Sequence, residues 1–79
     1  MAVHFFHCTD GVDLVVDRVG REVRHSHEVA RQARLVADGM MAALPDYDEW
    51  QNWAVHVYDA RGEVEIVPFL VESRDKLAA

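Results

Sequence analysis

The chain has 79 residues, 14 acidic, 8 basic and 5 histidine, with a formal net charge of -6. That leaves room for one domain and argues against a general nucleic-acid binder, because phosphate contacts supply most non-specific affinity. A lone cysteine, Cys8, excludes an internal disulfide and a cysteine-based zinc knuckle, and no apolar run is long enough to span a bilayer.

A domain this short buries only roughly 60% of the surface its unfolded form exposes. With disulfide and zinc staples excluded, oligomerisation is the expected source of extra stability. The start Met1-Ala2-Val3-His4 has neither the charged nor the apolar region of a signal peptide, so a cytoplasmic location is expected. Between Asp17 and Asp38, five arginines meet four carboxylates, so that stretch is near neutral and the rest of the chain carries the negative charge. One arginine-bearing patch is therefore expected on an otherwise acidic surface.

In chain order, Val3-His4-Phe5-Phe6-His7-Cys8 is rich in strand-favouring aromatics. After the turn signal Asp10-Gly11, Val12 to Asp17 partly alternates apolar and acidic residues, which predicts a hairpin. A two-residue loop at Asp10-Gly11 sets Thr9 opposite Val12 and continues to His4 opposite Asp17. Phe5, His7, Val12, Leu14 and Val16 then share one face, and His4, Phe6, Cys8, Asp13, Val15 and Asp17 the other. The first set is the more apolar and is expected to form the core, although a loop one residue longer would swap the faces.

Arg18-Val19-Gly20-Arg21 reads as a loop. Ser26 is the expected N-cap of a helix from about His27 to Ala43, with Glu28 in its first turn. Val29, Ala33, Val36, Ala37, Met40 and Leu44 form an apolar stripe, and Pro45 sets the end. Gly39 marks either a weak point or a close backbone approach. Pro45 to Glu49 is a polar, acidic connection. Beyond it, Trp53, Val55 and Val57 alternate with Ala54, His56 and Tyr58, and the Trp53 set is expected to be buried. Asp59-Ala60-Arg61-Gly62 is a turn, Glu63 to Phe69 a returning strand, and Pro68 belongs at a strand end or edge. The reading is a single α+β domain over residues 1–71, a ββαββ four-stranded antiparallel sheet of two hairpins with one helix on one face. Residues 72–79 are expected to be a frayed tail.

Phe5-Phe6-His7 with Asp10-Gly11, Asp17 and Gly20, Ala30, Trp53, Asp59 with Gly62, and Val67-Pro68-Phe69, in this order and spacing, resemble a family of short bacterial proteins common in rhizobia and relatives, described only as a domain of unknown function. Arg24-His25-Ser26-His27 departs from that pattern, in which a Leu-Pro-Asp-like helix start is more usual, as does the longer Asp46 to Asn52 connection. The resemblance implies the fold and a bacterial cytoplasmic setting. It implies no activity and no site residues.

Five histidines raise the possibility of a metal, with His25 and His27 as an H-x-H pair and His4, His56 and Cys8 on one sheet face. The spacing matches no recognised ligand set, and neither a metal nor another cofactor is expected. Cys8 and His7 are neighbours on a strand and point to opposite faces, so they form no dyad. Cys8 with His56 requires the two hairpins to be adjacent, and Ser26 with His25 or His27 lacks any recognised catalytic context. An enzyme is not expected. Arg18, Arg21, Arg24, Arg31 and Arg34 form the candidate anion patch of an alternative nucleic-acid or anion binder, which the charge balance disfavours. A one-helix monomer cannot cover the second face of its sheet. The leading reading is therefore a non-catalytic interaction or regulatory module. It is expected to be a homodimer, joined through His4, Phe6, Val15, His56 and Tyr58 or through an edge strand, with an unidentified protein partner also possible.

Overall fold

The computed structural model describes residues 2–70. The expected frayed tail, 72–79, lies outside the described residues, as does Val71. Strand β1 (Ala2–Thr9) leads to the two-residue β2 (Leu14–Val15) and the short β3 (Arg21–Val23), and a 3-10 turn (Ser26–Glu28) precedes helix α1 (Val29–Ala43). A second 3-10 turn (Trp50–Asn52) leads into β4 (Ala54–Asp59) and β5 (Gly62–Pro68). All pairings are antiparallel in the order β2-β1-β4-β5, and β3 also pairs with β1. The α+β plan and the two hairpins read from the sequence are present, and β1 against β4 makes the hairpins adjacent. No helix among the described residues is long and apolar enough to cross a membrane.

The first hairpin differs from expectation in its loop. Asp10 Oδ1 accepts the N–H groups of Val12 and Asp13, the Thr9 hydroxyl donates to the Asp13 carbonyl at 2.6 Å, and Gly11 takes φ +96°. These local bonds close a four-residue loop, so Thr9 faces Leu14 and Cys8 faces Val15. A shift of two positions leaves the two face sets as grouped above, but the set chosen for the core is the wrong one. Phe6 is 3% exposed and His4 8%, and Cys8 is buried with them, whereas Phe5 and His7 lie on the outer face. The cause is β4. Phe6 lies opposite Val57 and Cys8 opposite Val55, and direct partners across an antiparallel pair share a face. Because Trp53, Val55 and Val57 are buried under the helix as expected, Phe6 and Cys8 must be buried with them.

The strand β3 is not among the expected elements, and the loop expected over Arg18 to Arg21 overlaps only its first residue. Leu14 to Val23 is in fact one interrupted partner of β1, whose register moves by two residues between β2 and β3. Asp17 fills the interruption. Its Oδ2 accepts the Phe6 N–H at 3.1 Å, and its Oδ1 accepts the N–H groups of Val19 and Gly20, both at 3.0 Å. Its own N–H donates to His7 Nδ1 at 3.0 Å. Gly20 takes φ +79°, and a Cβ there would stand 2.7 Å from Val3 Cγ1 and 3.0 Å from the Phe5 ring. Only glycine fits this left-handed, crowded position.

The helix buries Val29, Ala33 and Ala37, with Val36, Met40 and Met41 packed at the margin, so the predicted stripe holds except for exposed Leu44. Ser26 is not the N-cap. It opens the 3-10 turn, in which the Glu28 N–H donates to the His25 carbonyl at 2.9 Å, and no side chain caps either helical segment. Gly39 sits in an unbroken helix facing open space, so no close approach explains it. Trp50, directly after the polar Pro45 to Glu49 connection, is buried, and its ring stacks on Phe69 at 5.3 Å and meets Tyr47 edge-on at 4.5 Å. Pro68 ends β5 at the sheet edge, as expected.

Asp17→Asn should cost about 1–3 kcal/mol in urea unfolding, because an amide replaces the acceptor facing the Phe6 N–H with a donor. Burial alone would raise the Asp17 pKa, but the N–H groups of Gly20, Phe6 and Val19 and the nearby His7 outweigh it and hold the carboxyl below its ordinary value. Its contribution is therefore full above about pH 4, the unfolded carboxylate value, and is lost as pH falls through the lower folded value. The wild-type excess over Asp17→Asn should shrink across that acid window when unfolding is measured as a function of pH. Gly20→Ala should destabilise by more than about 1 kcal/mol in the same assay, through positive φ and the Val3 contact together.

Candidate functional site

Two surfaces are left uncovered by a single helix. The first is the outer face of the sheet. Phe5 lies opposite Tyr58, His7 opposite His56 and Ile66 opposite His56 from the other side. The Phe5 and His7 rings stack at 6.4 Å, and His7 meets Tyr58 at 5.5 Å. Because His7 Nδ1 accepts a backbone N–H, the neutral ring carries its proton on Nε2. His56 Nδ1 pairs with Glu63 Oε1 at 3.1 Å. Hydrogen bonding to Glu63 and its charge raise the Tyr58 pKa.

The second surface is an apolar cleft between α1 and β2. The helix lies chiefly over β4 and β5 and only lightly over β1, which leaves the β2 side open. One compartment of about 350 Å³ is bounded by Phe6, Cys8, Val15, Val16, Val36 and Met40, with Asp17 and Arg21 at its end. A neighbour of about 200 Å³ continues past Val15 and Met40 to Leu44, Tyr47, Trp50 and Trp53. Trp53 Nε1 donates to the Tyr47 hydroxyl at 3.1 Å and fixes that end. Along the outer wall the Val12 to Val19 segment exposes five large apolar side chains, with Val12 at 88% and Val19 at 86%.

The sequence-derived interface set is split by this geometry. His4 and Phe6 are in the core, Val15 lines the cleft on the helix side, and only His56 and Tyr58 stand on the outer face. A contact patch built on all five is therefore corrected. The hairpins are adjacent, as a Cys8–His56 dyad would require, but Cys8 faces the helix opposite Val55 while His56 faces outward. Burial first, and then the Asp17 charge, push the Cys8 thiol up to about 11, away from a reactive thiolate. His25 and His27 are exposed with rings stacked at 5.4 Å, and no group of three or more His, Cys, Asp or Glu side chains with metal-binding geometry forms among the described residues.

The arginines are not one free patch. Arg34 pairs with Asp38 at 3.3 Å, donates to the Pro68 carbonyl at 3.0 Å and also donates to the Phe69 carbonyl. Arg21 donates to Gln32 at 2.9 Å and lies 5.9 Å from the Phe6 ring centroid. Arg18, Arg24 and Arg31 are exposed. Sequence reasoning passed over Asp17, Val19 and Trp50. An acidic residue three before a glycine signals a side-chain-capped bend, and a tryptophan at the end of an acidic connection signals an anchor.

These features define a two-layer α+β domain with an open apolar cleft and an uncovered sheet face. The sequence profile named Domain of unknown function (DUF6894) matches residues 3–70, nearly all of the described fold. The chain belongs to that family. No curated protein and no solved structure matches it.

Native Cys8 should react slowly with a thiol reagent at pH 8, far more slowly than in denaturant, as its burial and raised pKa require. Following the release of a chromogenic thiol in both conditions checks this, and equal rates would contradict the assigned core face.

Proposed function

We propose that this domain is a small non-catalytic interaction module that self-associates as a homodimer, covering apolar surface its single helix leaves bare. The observation that carries the reading is the exposure of Val12, Leu14, Val15, Val16 and Val19 on one segment, beside the uncovered row of Phe5, His7, Tyr58 and Ile66. In a chain that is 28% charged, such a concentration is the mark of a contact surface rather than of a solvated one.

The alternative, an anion or nucleic-acid binder using Arg18 to Arg34, has less support. Arg21 and Arg34 are engaged by their own chain, and the net charge is -6 with every arginine already counted. A bacterial cytoplasmic setting fits the self-associating reading and remains part of the proposal.

The five exposed side chains amount to on the order of 500 Å² per copy, or about 1,000 Å² for a pair, at the lower limit for a specific interface. A dissociation constant in the micromolar range is expected. Sedimentation equilibrium over roughly 1–200 µM should give a monomer–dimer isotherm. A single monomeric species throughout would defeat the reading.

A further inference from the structure

We infer that the dimer contact is the free edge of β2, paired antiparallel with β2 of a second copy about a two-fold axis at Val15; this rests on the self-association proposed above and names its site. The sheet has two outer edges, and they are built differently. The β5 edge carries Glu63 and Glu65, ends at Pro68, which has no N–H, and has the Pro68 carbonyl occupied by Arg34. Charge, proline and a capped carbonyl are ways of keeping an edge from pairing. The β2 edge has none of them over Leu14, Val15 and Val16.

The backbone there is aimed for pairing. The Asp10 N–H donates to the Asp13 carbonyl at 3.3 Å, so Asp10 and Asp13 are a hydrogen-bonded pair. Alternation along an antiparallel ladder makes Cys8 and Val15 the next such pair and turns the N–H and C=O groups of Leu14 and Val16 away from β1, to the free edge. A two-fold axis between antiparallel neighbours must set one residue opposite itself, because direct partners share a face. Centring on Val15 brings Leu14 of each copy opposite Val16 of the other and uses all four outward residues. Centring on Leu14 or Val16 uses only two. The Val15-centred register also sets Asp13 opposite Asp17 of the second copy. That carboxylate is turned onto the N–H groups of Phe6, Val19 and Gly20, which lowers the cost of the approach.

Few hydrogen bonds form across so short a strand, so apolar contact must supply the rest. It is available on both faces: Leu14 stands on the outer face, 59% exposed, and Val15 borders the α1 cleft. The pairing would join two sheets into one continuous sheet and close the open side of each cleft.

Sedimentation of wild type, Val16→Lys and Ile66→Lys, each confirmed folded by its melting curve, separates the possibilities. Val16 is exposed at the edge, and Ile66 is exposed on the outer face near the blunted β5 edge. The expected result is a dimer for wild type and Ile66→Lys, with the dissociation constant of Val16→Lys raised at least about 10-fold. A dimer broken by Ile66→Lys but not by Val16→Lys overturns the edge assignment and leaves self-association standing. A monomeric wild type overturns both. Amide exchange on wild type gives an answer that needs no variant: the N–H groups of Leu14 and Val16 should gain protection as concentration rises, and unchanged exchange in a demonstrated dimer overturns the proposal.

Discussion

The Asp17 carboxylate is the constraint on which the rest of this small fold depends. β1 is the central strand of a narrow sheet, and its even-numbered residues aim their backbone groups at a single edge. On that edge His4 meets Arg21 of β3 and Cys8 meets Val15 of β2, but Phe6, between them, meets no strand there. The Asp17 side chain stands in for the missing ladder partner of the Phe6 N–H and at the same time holds the bend that returns the chain to β1. A buried N–H left unpaired here costs about as much as a lost core methylene or two. It would do so beside Phe6, whose ring is the link between the β1 core and the helix margin at Val36 and Met40.

Placement of the helix follows from where bulk is available. Trp50, Trp53 and Phe69 gather at one end of the sheet with ring centroids 5.3 to 5.8 Å apart, and Arg34 ties α1 to the end of β5 through two carbonyls. The helix is thereby drawn toward β4 and β5. Small residues, Ala33 and Ala37, form its fully buried contact and let it approach closely. The cleft on the β2 side is the geometric remainder: one helix about 10 Å across cannot cover four strands spaced about 4.8 Å apart.

Much of this was legible in the sequence because it is local. Helical periodicity located α1, alternation identified Trp53, Val55 and Val57 as buried, Asp59 to Gly62 marked the second turn, and Pro45 and Pro68 marked ends. What failed depends on contacts between distant segments. Counting apolar residues along the first hairpin favoured Phe5, Val12, Leu14 and Val16 for the core, yet the face of β1 is decided by β4, some fifty residues away. Had Phe6 and Cys8 been aligned with Val57 and Val55 at the outset, the inversion would have been visible. The interface candidates failed for the same reason, since His4 and Phe6 were grouped with His56 and Tyr58 across a pairing that sets them on opposite faces. β3 escaped notice because three residues, two of them charged, carry no periodic signal, and its existence rests on Asp17 and the positive φ of Gly20.

That mistaken count still has a physical meaning. Val12, Leu14, Val15, Val16 and Val19 look like core residues in the sequence because they have the composition of one, and the monomer does not use them as such. In a domain whose size limits how much surface it buries, a second copy that binds only the folded state adds stability by mass action. The gain is about 2.7 kcal/mol when the free partner stands at 100 times the dissociation constant. Asp17 would then act twice. It completes the ladder of β1 within one chain, and by holding the bend after Val16 it fixes the direction in which Leu14 and Val16 present their backbone to another. On the assembly proposed above, folding and pairing would share one carboxylate, so damage to it should weaken a dimer by more than the loss of folded monomer alone accounts for.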